Sequence, residues 1–300
     1  MEKIEIKDED GGVTHIKRFK GKSFSPMAPD DFESHLRLVN TANYTEKDVF
    51  VVAYPKSGMN WTFEIVNMIL RNSSEYFPNI PPFLDMATPS MLQSVFGNAD
   101  KPGLIANHYQ PQFFPQAAIK QKVRIVFVYR NPKDVAVSQY QFYWKLKGFG
   151  EYKNVSFKNY LKRYLDGNVP CGDWYSFHKE WLDLKADNQD YPILILCYED
   201  MKVNLAENVR KIADFLEMNL EESTLLEIAR KCEFRTMFQH KNSNLPPEMH
   251  MATEIKEHIF YRKGEVGDWK NWFTVAQDEE FDRHMDPLLD KIDINIRYSL

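Results

Sequence analysis

The sequence predicts an α/β three-layer sandwich, with a central, mostly parallel sheet, helices on both faces and a P-loop-like turn at one strand end. Three observations carry that expectation. The runs Val49 to Tyr54, Val123 to Tyr129 and Pro192 to Tyr198 are almost wholly apolar and rich in Val and Ile. Strands with so little alternation suit a parallel sheet buried on both sides. Segments of helical spacing lie between and after these runs, the alternation expected of βαβ units. Finally, the first run leads straight into a Gly-containing turn and a helix start.

In chain order, the helix Trp61 to Leu70 puts Trp61, Ile65, Met68 and Ile69 on one side. Ala136 to Leu146, Val203 to Leu216 and Glu221 to Lys231 follow as further helices. Phe238 to Val266 carries Pro246 and Pro247 and reads as a long irregular connection, which in a compact domain is often functional. No repeat or low-complexity linker interrupts the pattern, so residues 1–300 read as a single domain.

A formal charge of -5 argues against a surface built to coat nucleic acid, but leaves room for a local basic pocket. Cys171, Cys197 and Cys232 lack metal-ligand spacing and read as reduced thiols. Met1 to Asp10 has no apolar core for a secretory signal, and no run approaches the ~20 residues that span a bilayer. The expectation is a soluble cytoplasmic protein with no membrane or nucleic-acid partner. The sequons at Asn43, Asn72 and Asn154 then carry no function.

Three stretches invite an anion. In Pro55-Lys56-Ser57-Gly58-Met59-Asn60-Trp61, a strand, a tight turn and a helix start create a nest of backbone N–H groups at a positive dipole end. An ordinary turn with a solvated lysine is the competing reading. The order differs from the nucleoside-triphosphate motif, because the lysine precedes the glycine and no Ser or Thr stands where that motif binds magnesium. A phosphate here would be held without a metal. Arg130-Asn131-Pro132-Lys133-Asp134 follows the second strand and leads into a helix containing Ser138. An arginine at a strand's carboxyl end faces the crevice where open α/β sheets bind ligands, and a structural Arg130–Asp134 pair is the alternative. Arg262-Lys263-Gly264, before Gly267-Asp268-Trp269, offers another basic concavity or simply a solvated loop.

Together these stretches resemble the cytosolic sulfotransferases, which move a sulfuryl group from phosphoadenosine phosphosulfate (PAPS) to an acceptor and release PAP. The first is similar to that family's 5′-phosphosulfate loop, Tyr-Pro-Lys-Ser-Gly-Thr-Thr/Asn-Trp, and the second to its 3′-phosphate motif. The third matches Arg-Lys-Gly-x-x-Gly-Asp-Trp-Lys. Tyr198-Glu199-Asp200-Met201 resembles Tyr-Glu-Asp-Met, and Cys232-Glu233-Phe234 with Met237 stands in place of Thr-Ser-Phe-x-x-Met. The likeness spans roughly residues 45 to 290.

It implies a cofactor set of Lys56, Ser57, Gly58, Met59, Asn60, Trp61, Arg130, Ser138, Tyr198, Phe234, Met237, Arg262, Lys263 and Gly264. Lys56 would meet the bridging oxygen, Trp61 and Phe234 would stack on adenine, and Tyr198 would contact it. His108, in Leu104-Ile105-Ala106-Asn107-His108, would alone read as a structural histidine. The resemblance makes it the general base, a task that suits neutral imidazole with its ordinary pKa near ~6.5. Met59, Ala106, Cys232 and Glu233 depart from the family pattern and bear on rate or acceptor choice.

Phe83, Met86, Phe142 and Met249, with Tyr140, Phe149 and Leu245 nearby, either pack the core or wall an apolar pocket for a phenol, steroid or amine. Lys270, Thr274, Val275 and Glu279 match the family's short homodimer motif, or form a plain surface helix start. Two other functions compete: a catalytically weak PAPS- or PAP-binding protein of the same fold, and a magnesium-dependent nucleotide kinase using Glu199 and Asp200.

Overall fold

The computed structural model describes residues 1–243 and 260–300. Its elements run β1 (Glu2–Lys7), β2 (Val13–Phe19), β3 (Lys22–Phe24), α1 (Phe32–Val39), β4 (Val49–Ala53), α2 (Met59–Leu70) and α3 (Pro89–Phe96). There follow β5 (Leu104–Asn107), α4 (Gln116–Lys120), β6 (Arg124–Tyr129), α5 (Pro132–Tyr143), α6 (Phe157–Leu165) and α7 (Trp174–Asp187). The described chain closes with β7 (Ile193–Cys197), α8 (Tyr198–Val203), α9 (Leu205–Phe215), α10 (Glu222–Lys231), α11 (Phe234–Ser243) and α12 (Val275–Leu289).

The central sheet has the order β5-β4-β6-β7, and every neighbouring pair is parallel. Side chains of β4 alternate between two cores. Val49, Val51 and Ala53 face α2, α8, α9 and α10, whereas Phe50 and Val52 join Phe32, Phe114, Trp174 and Trp181 on the other side. Val126 and Val128 of β6 split from Ile125, Phe127 and Tyr129 in the same way. Both faces are therefore apolar, which is why these strands read as continuous hydrophobic runs. Burying each large side chain stabilises the fold by about 1.5–3 kcal/mol. From β4 the chain first steps to β5 on one side, then returns to β6 and β7 on the other. The carboxyl ends of these strands flank the switch point where open α/β sheets bind ligands.

Helix starts move by a few residues from their expected places, for local reasons. The Asn131 side chain accepts the Asp134 N–H at 2.8 Å, and Pro132 needs no partner at the first helical position, so α5 begins before Ala136. The irregular connection expected from Phe238 begins instead inside α11.

A second sheet, β1-β2-β3, is antiparallel and was not foreseen. The outer faces of β1 and β2 are charged, so their apolar signal reduces to residues such as the buried Ile16. The tight β2–β3 turn places Lys20 and Gly21 at φ 48° and 77°, as a primed hairpin turn requires. Arg163 of α6 anchors the sheet by bonding Thr14 Oγ1 at 2.7 Å and pairing with Asp8 at 3.1 Å. Among the described residues, no helix is long and apolar enough to cross a membrane.

Candidate active site

All four strands of the parallel sheet deliver a residue to one cleft. β4 leads to Lys56, β5 to His108, β6 to Arg130 and β7 to Tyr198, and all four line one open cavity.

The turn after β4 carries two positive φ angles, 72° at Lys56 and 106° at Gly58. A Cβ at Gly58 would lie 2.8 Å from the Tyr198 ring, so only glycine lets the backbone press there. No side chain caps α2, whose first N–H groups open onto the turn. Ser57 is fully buried beneath the turn, and its Oγ has no hydrogen-bond partner among the described residues. Lys56 Nζ rests 4.1 Å from the centroid of the Phe142 ring. Burial, then the charges of Arg130, Lys145 and Arg262, pull this ammonium down to about 7. An incoming anion would reverse that shift.

Arg130 stacks its guanidinium 4.4 Å from the Tyr198 ring centroid and donates to the Glu265 carbonyl at 3.0 Å. The Arg130–Asp134 pair does form, at 3.5 Å, but Nε of this arginine stays buried and has no partner among the described residues. Asp134 works chiefly as a strut, accepting from the Gly267 N–H at 2.8 Å and the Trp269 N–H at 3.0 Å. It thereby fastens the basic loop to the start of α5. In that loop Arg262 and Lys263 both pair with Asp268 at 2.6 Å. Burial would raise the Asp268 carboxyl, yet bonds from Lys263, Asn271 and Arg262 hold it down to about 2. A Cβ on Gly264 would fall 2.1 Å from Phe234, so this loop closes against the ring only because residue 264 lacks one.

His108 sits just past the end of β5. Its Nδ1 lies 2.7 Å from the Ala53 carbonyl oxygen, which can only accept. Nδ1 therefore carries the proton and Nε2 is left as the basic nitrogen. Phe83 stacks on the imidazole at 5.4 Å.

Sixteen of the expected site residues line the cavity: Lys56, Gly58, Met59, Asn60, Trp61, Phe83, His108, Arg130, Ser138, Phe142, Tyr198, Phe234, Met237, Arg262, Lys263 and Gly264. Ser57 lies under the turn instead. Met86 is 46% exposed and is not among the described residues that line the cavity, because the single turn Leu84–Met86 points Leu84 inward and Met86 out. Met249, with Leu245, lies outside the described residues. Tyr140 and Phe149 pack in the core, against Phe157 and Tyr143 respectively. Lys202, Phe260 and Tyr261 also line the cavity and were not foreseen. Lys202 had a legible signal, since it falls one helical turn after Tyr198.

The departures from the family pattern mostly face elsewhere. Ala106 is fully buried beside Val51, Cys232 turns its Sγ towards Met68 Sδ at 3.8 Å, and Glu233 is exposed. Met59 alone lines the cleft. The kinase reading fares worse. Glu199 is buried and accepts from the Asn131 backbone N–H at 3.0 Å and side-chain Nδ2 at 2.9 Å. Asp200 pairs with Arg297 at 2.8 Å, and neither carboxylate reaches the cavity.

Similarity to known proteins agrees with this geometry. The family model described as the sulfotransferase domain matches residues 46–293. Sulfotransferase 1A1 of Mus musculus is 35% identical over 265 residues, covering 84% of this chain and 88% of that protein. The amine sulfotransferase of Oryctolagus cuniculus is 33% identical over 285 residues, covering 91% and 90%. The crystal structure of mouse sulfotransferase SULT7A1 complexed with PAP superposes with a TM-score of 0.74 at 26% identity, covering 92% of this chain and 94% of that one. With a cleft of this build and relatives of this coverage, the chain belongs to the sulfotransferase family and is a PAPS-dependent sulfotransferase.

Proposed function

We propose that the enzyme transfers the sulfuryl group of PAPS to a hydroxyl or amine of a small, largely apolar acceptor such as a phenol, a steroid or another alcohol. One observation carries this reading. The Ala53 carbonyl fixes the His108 tautomer so that a basic Nε2 shares one cleft with Lys56 and the clustered cations.

The residues suit the polyanion. Buried donors without partners among the described residues, Ser57 Oγ, Arg130 Nε and Arg262 Nε, lie at the turn, at the end of β6 and in the basic loop. Arg130, Ser138, Arg262, Lys263 and the Gly264 backbone would hold the 3′-phosphate. Ser57, Gly58, Met59, Asn60 and the α2 amino end would hold the 5′-phosphosulfate. Trp61, Tyr198, Phe234 and Met237 would enclose the adenine. When bound, PAPS supplies an activated sulfuryl group. His108 Nε2 would take the acceptor's proton as the sulfuryl group passes to it from the departing PAP. Lys56 meets the charge that grows on the leaving phosphate, and no residue of this scheme binds a metal.

Phe83 and Phe142 would wall the acceptor subsite. The amine sulfotransferase among the relatives keeps amines in the acceptor class. We also propose that residues 1–300 act as one domain in the cytoplasm. They would dimerise through Lys270, Thr274, Val275 and Glu279, since Val275 is 77% exposed while Thr274 caps α12.

The test measures PAP binding by calorimetry, then turnover of phenols, steroids and amines with and without EDTA. Sulfation that survives chelation and is lost in His108→Ala is expected. Tight PAP binding with no acceptor sulfated would favour the catalytically weak binding protein instead.

A further inference from the structure

Five cations line the described part of the cavity, and four already have places. Lys56 rests on Phe142, Arg130 on Tyr198, and Arg262 and Lys263 on Asp268. Lys202 belongs to none of these groups. It stands on α8 one turn after Tyr198, with Nζ 5.8 Å from the Trp61 ring centroid and 5.6 Å from that of Phe234. No carboxylate lies within ion-pair distance of it among the described residues. Burial and then Arg130 weaken its hold on a proton, while the charges of Glu233 and Glu265 oppose them. A half-buried ammonium that meets only two distant ring faces and no oxygen acceptor among the described residues gains when an acceptor arrives.

The rings beside it are held in place. The Trp61 indole N–H donates to the Cys232 carbonyl at 2.7 Å, and Phe234 is pressed by the Gly264 backbone. Fixed aromatic faces accept a planar heterocycle. Among the described residues, neither Cys232 nor Glu233 offers a polar group for its edge, because the Cys232 thiol turns to Met68 and Glu233 is exposed. An ammonium has three donors and no acceptor. It can therefore serve a ring nitrogen or an oxo group, but never an amino group.

We propose that Lys202 is a further cofactor-binding residue that reads the purine by donating to a ring-nitrogen or oxo acceptor. This rests on the PAPS reading above. Calorimetry on the wild type and Lys202→Met tests it with three probes: adenosine 3′,5′-bisphosphate, its 6-oxo analogue inosine 3′,5′-bisphosphate, and base-free ribose 3,5-bisphosphate. The substitution weakens both nucleotides roughly ten- to a hundredfold, the 6-oxo analogue at least as much as the adenine ligand. It changes the base-free ligand by less than about threefold, and Lys202→Arg keeps most of the affinity. If Lys202→Met does not fold, Lys202→Gln carries the same comparison. Nucleotide affinities unchanged within twofold overturn the assignment. Equal losses for all three ligands do so too, because they mark a long-range charge effect. A wild type that binds neither nucleotide overturns the PAPS reading itself.

Discussion

The phosphate end of the cavity draws Lys56, Arg130 and Tyr198 from the ends of central strands, whereas the end proposed for the acceptor is carried by a bridge at the sheet's edge and by a helix end. Lys56, Arg130 and Tyr198 each sit at or just after a strand's carboxyl end, and ladder hydrogen bonds fix the spacing of those ends. Phe83 comes from a single parallel bridge to Ala106 at the edge of the sheet, and Phe142 from the far end of α5. The difference teaches where function is constrained. A polyanion with fixed geometry needs donors held by the sheet, while an apolar acceptor needs only a wall of suitable shape. Two residues join the halves. His108 takes its tautomer from a β4 carbonyl but stacks on Phe83, and Lys56 leaves the phosphate turn to rest on Phe142.

The sharpest way to break this comparison is at the junction. His108→Ala should lower kcat by about 10²–10⁴ while leaving PAP affinity within about twofold. A parallel loss of PAP affinity would show that the two halves are not separable there.

On the phosphate side, Arg130→Ala should weaken PAP roughly ten- to a hundredfold in calorimetry, since it removes charge-assisted bonds. Acceptor KM, read at saturating PAPS, should hardly move.

The pH dependence of PAP affinity probes Lys56 itself. Its ammonium is held near about 7 without an anion, and a bound polyanion would return it towards its ordinary range, so binding takes up a proton. Affinity is then full below pH 7 and falls as pH rises above it, by at most about tenfold per pH unit. Lys56→Arg should flatten the profile between pH 7 and 9, because a guanidinium keeps its proton throughout. A wild-type profile already flat over that range would refute the proton linkage.

The smallest effects belong to the acceptor end. Phe142→Leu should shift acceptor KM by about three- to tenfold and leave PAP affinity unchanged. Met86→Ala, on the exposed side of its turn, should change acceptor KM by less than about twofold. A larger Met86 effect in steady-state kinetics would put that residue back in the acceptor wall.

Much of the phosphate end was readable because each of its signals is local. A Val-rich run, a Gly turn and a helix start are neighbours in the chain, so Lys56, Arg130 and Tyr198 could be placed without knowing what packs on them. The N-terminal sheet was missed because its alternating Ile4, Ile6 and Ile16 are short, isolated apolar signals set among charged residues. Lys202 escaped attention because the helix read from the sequence began at Val203, so α8 and its one-turn spacing from Tyr198 were not seen. Only the fold sets it beside Trp61 and Phe234, which lie 141 and 32 positions away in the chain.

By itself, then, the sequence determined the parallel sheet, the residues at its strand ends and the family they resemble. The tertiary structure decided which nitrogen of His108 is basic, where Lys56 rests, and that Glu233 and Met86 are exposed. Those outcomes depend on contacts between segments far apart in the chain. Hydrophobic periodicity and turn chemistry report only what a residue's own neighbours impose.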